Sequence, residues 1–269
     1  MSKLLKIEMM KLKTSLAFKI TIIVCAAMCL MNVAVYAFIA NLDKIIDVSA
    51  DESLESMQNI FGGMIDGRSL FNMAVSNPSD YMMMAVIVIC IMVCGDFSAR
   101  TLQAQIIAGF SRTKIFLSRL VSSLFILFVF FVIYVGLLTF GTGIFCGYGP
   151  EGLTGASLLT MLKQFTMSYV MSGSILTMYL LIVFCAKSIG PSIGICLPLM
   201  LIGTGIISAI GSINDTAYEI YLLTPFGQQS LVTAELDFLE YFKYFAVAIV
   251  FAAIMIFIAA KSFKKAEMK

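Results

Sequence analysis

The sequence contains no histidine and no tryptophan, and only 13% of its 269 residues are charged. Without histidine there is no imidazole to shuttle protons near neutral pH or to ligate zinc. The low charge excludes a soluble domain, whose surface needs roughly a quarter of all residues charged. No G-x-x-x-x-G-K-[ST] run occurs, so the chain has no loop to cradle a nucleotide's phosphates. An intramembrane hydrolase is excluded as well: a serine dyad lacks a base, a metalloprotease lacks histidine ligands, and no two acids lie inside apolar runs to face each other.

What is present is apolar, at 60% of the chain. Uncharged runs cover 20–42, 81–95, 120–150, 164–186, 188–214 and 244–260. A helix needs about 20 residues to cross a hydrocarbon layer of ~30 Å, so four runs span easily and two are short. The shortest, 81–95, would reach only about 22 Å at 1.5 Å per residue, which requires Asp80 or Asp96 to sit near headgroups or to be sheltered by neighbouring helices. No run alternates polar and apolar residues, which excludes a transmembrane barrel. The expected fold is all-α and polytopic: a single domain over 1–269 with an interfacial helix at 1–14 and six spans near 17–40, 80–95, 119–145, 165–186, 190–213 and 244–260.

The charges sort by side. With a cytoplasmic amino terminus, the inner segments hold 14 of the 18 cations against three acids, a net of +11. The outer segments hold four cations against 13 acids, a net of −9. Basic segments are retained inside, so both termini are expected in the cytoplasm.

Seven cysteines lie in or beside apolar runs. Cys25/Cys29 and Cys90/Cys94 are one helical turn apart, a spacing open to a thiolate site, but burial in lipid disfavours the thiolate and they read as packing residues. Residues 2–13 carry four lysines; Leu5, Met9 and Leu12 share one helical face, so the segment is either an amphipathic helix on the inner leaflet or a basic flank that orients the chain. The outer loop 41–79 is acidic, with Asp43, Asp47, Asp51, Glu52, Glu55 and Asp66; residues 53–61 suit a helix, and Gly62, Gly63, Gly67 and Pro78 suit breaks. The fourth span is rich in small and hydroxylated residues and the fifth in glycine, with Pro191 and Pro198 inside, a composition suited to close helix packing. The segment 214–240 is too polar to cross and is expected to dip into the outer leaflet as a broken helix pair.

The functional signal lies in the cytoplasmic loop 96–118. Ser98 suits an N-cap for a short helix with Leu102, Ile106 and Ile107 near one face, Gly109 suits its end, and Ser111 suits the cap of the next helix. An acid at the end of the second span (Asp96), Thr101 five residues on, Gly109 in a turn, Ser111-Arg112 and a basic start to the third span (Arg119) together resemble the permease subunit of type-2 ATP-binding cassette exporters. Glu8 with Lys11, and Leu223-Thr224-Pro225-Phe226, also resemble that family, whereas Asp96 replaces its common Glu and Ala99-Arg100 its frequent Asn-Gly.

The resemblance implies that the short helix is a coupling helix seated in a groove of a cytoplasmic ATPase. Leu102, Ile106 and Phe110 would fill the groove, while Arg100, Arg112 and Lys114 would supply complementary charge. It further implies two ATPase subunits that bind ATP and magnesium, a second permease chain, surrounding lipid, no nucleic acid, no cofactor in this chain, and a bacterial plasma membrane. The expected activity is export of an amphipathic peptide, toxin or hydrophobic compound, along a route for which Asn32, Tyr36, Ser172, Ser174 and Pro198 are candidate lining residues. Two other roles stay open: an ion-coupled secondary transporter, disfavoured because no span interior holds a charge, and a non-transporting immunity or structural subunit.

Overall fold

The computed structural model describes residues 2–41, 65–99, 101–149, 152, 154–202, 205, 209, 215–233 and 238–265. Among them, in chain order, run helices α1 (Ser2–Thr14), α2 (Leu16–Ala40), α3 (Gly67–Ser76), α4 (Ser79–Ser98), α5 (Thr101–Ile107), α6 (Arg112–Cys146), α7 (Gly155–Ala186), α8 (Ile189–Leu201), α9 (Asp215–Leu222), α10 (Pro225–Gln229) and α11 (Phe238–Lys265). Five helices, Leu16–Ala40, Ser79–Ser98, Arg112–Cys146, Gly155–Ala186 and Leu239–Phe263, are long and apolar enough to cross a membrane. The chain is an all-helical polytopic membrane protein. Helices satisfy their own backbone groups, which lipid cannot do.

Helix α4 accommodates its short apolar run by taking Asp80 into its first turn and Asp96 into its last. Its 20 residues then reach ~30 Å. Helices α6 and α7, with 35 and 32 residues, are longer than a hydrocarbon layer of ~30 Å requires and extend the bundle beyond it. The fifth span expected over 190–213 is represented by α8, whose 13 residues reach only ~20 Å; most of the remaining range lies outside the described residues. The helix expected at 53–61 and the acids Asp43 to Glu55 also lie outside them.

Helices α4 and α7 are interior, with 61% of each apolar window buried, whereas α2 and α11 are peripheral, with 17% and 11%. Helix α11 lies along α7, α2 lies along α6, and α8 packs on α4 and α7. Outward-facing apolar side chains such as Ile23, Met31, Ile254 and Phe257 line the two peripheral helices, as expected where the surroundings are lipid or another apolar surface.

Residues 65–76 depart from the expected loop. Asp66 caps α3 by accepting from the Ser69 backbone N–H at 2.6 Å, and Leu70, Phe71, Ala74 and Val75 are buried. Gly67, expected to break a helix, instead opens one, because the close approach to α6 needs it: a Cβ there would lie 3.1 Å from Gly143 Cα and 3.0 Å from the Thr139 carbonyl oxygen. The hydroxyls of α7 serve this same packing. Ser168 Oγ donates to the Val75 carbonyl at 2.7 Å, and Gln229 Nε2 donates both to that carbonyl (2.6 Å) and to Ser168 Oγ (2.9 Å). Three separated segments are thereby joined at one carbonyl. Segment 215–229 forms the broken pair α9 and α10, and α10 packs against α7.

Candidate functional site

Helix α1 ends at Ser15, whose extended backbone and side chain cap α2. This break lets the basic segment turn away from the span. Its buried stripe is Leu4, Glu8 and Leu12, with Leu5 and Met9 half-buried, so the face expected from Leu5, Met9 and Leu12 is rotated by one position. The rotation buries a carboxylate. Glu8 is fully buried against α6, where Arg119 is 2% exposed and its Nη1 pairs with Glu8 Oε2.

Asp96, at the end of α4, completes the cluster. Arg119 Nη2 lies 2.7 Å from Asp96 Oδ2 as an ion pair, Lys11 Nζ donates to Asp96 Oδ1 at 2.7 Å, and Lys11 Nζ is 4.0 Å from Glu8 Oε1. Thr101 Oγ1, the first residue of α5, also donates to Asp96 Oδ1 at 2.7 Å. Two cations and two anions cancel, which is the condition under which charges persist in an apolar interior. Next to Asp96 in sequence, Phe97 joins Phe116, Phe184 and Phe263 in an aromatic cluster with centroids 5.2–6.4 Å apart. Four helices, α1, α4, α5 and α6, thus meet at one neutral, buried joint.

Helix α5 is shorter than expected and starts later. Ser98 is not its cap: it is the last residue of α4, and its hydroxyl donates back to the Gly95 carbonyl at 2.9 Å. Gly109 ends the turn after α5 with φ +86°, a conformation that favours glycine. Ser111 takes the N-cap position of α6, without a side-chain bond. Of the residues expected to face a partner, Asp96 and Thr101 belong to the joint, and Leu102 is 2% exposed in the chain's own core. Ile106 and Phe110 are partly buried against that core. The apolar side chain at the surface is Ile107, 86% exposed. About one and a half turns of α5 separate the two roles: Leu102 locks the helix down while Ile107, five residues on, faces away. Arg112 is half-buried and Lys114 exposed; Arg100 lies outside the described residues.

The five route candidates do not converge. Asn32 and Tyr36 line a cavity of about 290 Å³ with Asp80 and Tyr134, at the end of the bundle opposite the ionic joint. Ser172 is instead committed to Tyr81, 2.7 Å away, and Ser174 to its own helix through the Met171 carbonyl (2.6 Å). Pro198 is exposed within α8. The cysteines are all free thiols, with Cys25, Cys29, Cys90, Cys94 and Cys196 buried. Among the described residues no group of three His, Cys, Asp or Glu side chains is placed to hold a metal ion.

The short run 81–95 pointed to a sheltered Asp96, which is 7% exposed here, but not to its partners; Glu8 left a signal of its own, as the one acid in a lysine-rich helix, four residues from both Leu4 and Leu12. No curated protein matches the chain. A family model described as a protein of unknown function (DUF2705) matches residues 64–268, which include Asp96, Arg119, α5 and the cavity residues Asp80 and Tyr134. Since that match covers most of its length, the chain belongs to the DUF2705 family.

Proposed function

We propose that this chain is the membrane permease subunit of an ATP-binding cassette exporter, moving an amphipathic peptide, toxin or hydrophobic compound outward with ATP hydrolysed by a separate subunit. The observation that carries the reading is the joint at the root of α5: Thr101 and Asp96 tie a short helix, which presents Ile107 at the surface, to α1, α4 and α6 through a neutral buried cluster. A push on Ile107 at the surface is passed to α4 and α6, because shearing the joint would separate charges that have little water to replace their partners. The helix would act as a lever, its apolar end seated in an ATPase groove and its root held by ions. In this reading the joint faces the cytoplasm, consistent with the net +11 of the segments on that side. ATP and magnesium would be bound by the ATPase partner, and a second permease chain would complete the translocation route.

Affinity isolation of the tagged chain from its native membranes in mild detergent is expected to bring down a P-loop ATPase in near-stoichiometric amount, and Ile107→Asp is expected to remove it while leaving helical content unchanged. An unaffected yield of ATPase in the variant, or no ATPase with the wild type, contradicts the lever. Solute movement driven by a proton or sodium gradient in vesicles holding this chain alone also contradicts it.

Orientation has its own test. In a background carrying Cys146→Ser and Cys185→Ser, which removes the two thiols that are not buried, Ser56→Cys is expected to react with an impermeant maleimide on intact cells. Reaction only after permeabilisation reverses the assignment of sides.

A further inference from the structure

The cavity at the other end of the bundle is built differently from the ionic joint. It is walled by Asn32 and Tyr36 of α2, Asn77 before α4, Ser79 and Asp80 in the first turn of α4, and Tyr134 of α6. At about 290 Å³ it is at the lower bound of small-molecule sites, room for a headgroup or one side chain. It adjoins a smaller pocket of about 10 Å³ that Cys25, Met28 and Met84 line together with Asn32, Asp80 and Tyr134. Asp80 is shared by the two and is exposed, so its carboxylate stands at the rim of the cavity.

Asp80 has no ion pair among the described residues, in contrast to Asp96 with its two cations. One carboxylate oxygen, Oδ2, accepts from the Tyr134 hydroxyl at 2.5 Å. That bond takes one lone pair of Oδ2 and leaves Oδ1 wholly for a ligand. An ammonium is a compact charge with three donors, and Asn32, Asn77 and Ser79 supply further oxygen acceptors around the same space. Tyr36 and Tyr134 add aromatic rings to the lining, and such rings attract a cation.

We propose that this cavity is a binding site for a primary ammonium group. Two sources carry that chemistry to a membrane protein: the lysine side chain of a peptide and the ethanolamine headgroup of a lipid. As a cargo site it rests on the exporter reading; as a binding site it does not.

The test is calorimetric titration of the full chain in phosphatidylcholine nanodiscs with Nα-acetyl-lysine methylamide, alongside the uncharged norleucine counterpart. Saturable binding of the lysine compound alone is expected, weakened about tenfold or more by Asp80→Asn, since a charge-assisted bond is lost, and about threefold by Tyr36→Ala, which removes a ring face. In nanodiscs containing phosphatidylethanolamine, a raised apparent Kd assigns the site to the lipid headgroup, and an unchanged Kd assigns it to a peptide side chain. Equal affinity for norleucine, or an Asp80→Asn variant that binds as well as wild type, overturns the proposal. Should Asp80→Asn fail to insert, unchanged binding by Tyr36→Ala, whose side chain is half-buried on a peripheral helix, overturns it equally. No ATPase is present in the measurement, so failure of the exporter reading leaves this result standing, and the reverse holds too.

Discussion

Arg119→Ala is expected to lower folding stability by roughly 3–5 kcal/mol, the range found when one partner of a buried ion pair is removed. The substitution strands Glu8 and Asp96, both buried, with only Lys11 to balance them. Lys11 is one-third exposed, so it cannot move inward to cover both carboxylates without giving up its own contact with water. Glu8→Gln should cost less, about 1–3 kcal/mol, because Arg119 keeps Asp96 and the lost anion leaves no second one unpaired. Lys11→Ala should cost least, since its charge is the most hydrated of the four. The order Arg119, Glu8, Lys11 is the content of the prediction. It is read by thermal unfolding in detergent with a thiol-reactive fluorophore, which the five buried cysteines report on as they become accessible. A loss under 1 kcal/mol for Arg119→Ala, or the reverse order, would show that the charges are not sharing one buried joint.

Gly227→Ala is expected to have the second largest effect, a loss of roughly 1–3 kcal/mol or more from overpacking. Thr224 accepts from the Gly227 backbone N–H at 3.3 Å and Pro225 occupies the first turn, so α10 turns sharply against the end of α9. A Cβ on Gly227 would lie 2.7 Å from the Tyr221 carbonyl carbon and closer still to its oxygen. Backbone cannot rotate aside as a side chain can. The corner would open and draw Gln229 off the Val75 carbonyl and Ser168. The variant should unfold at lower temperature in the same thiol assay and lose protection of α3 from hydrogen exchange. Wild-type exchange in α3 would mean that the corner and the Val75 junction are independent.

Several residues were legible before the fold was known. Gly109 suited a helix end and carries a positive φ; Ser111 takes the N-cap position of α6. Both are local matters of backbone preference. Ser98 misled, because a serine before a helix-compatible run caps it only if the chain has already turned there, and α4 instead continues through Ser98. Leu102 misled for a related reason. A helical wheel groups Leu102, Ile106 and Ile107 on a broad apolar side, but not which part of that side meets the protein's own core. Contact with the rest of the chain puts Leu102 inside and leaves Ile107 outside. The buried α3 was hidden by its neighbours: its apolar positions 70, 71, 74 and 75 have helical spacing, yet they sit after an acidic, glycine-punctuated stretch that reads as loop.

Composition and charge order alone determined that this is an all-helical membrane protein, because lipid leaves an isolated backbone almost no other way to satisfy its hydrogen bonds. That constraint acts along the chain, residue by residue, and is visible in one dimension. Which charges are paired was decided by tertiary structure. Glu8 and Arg119 are 111 positions apart, Asp80 and Tyr134 are 54 apart, and neither separation carries a signal until helices α1, α2, α4 and α6 are packed. Packing made one carboxylate a neutralised joint and left another lining an open cavity, because a buried charge must find its counter-charge inside the fold, whereas one at the rim can take it from a ligand.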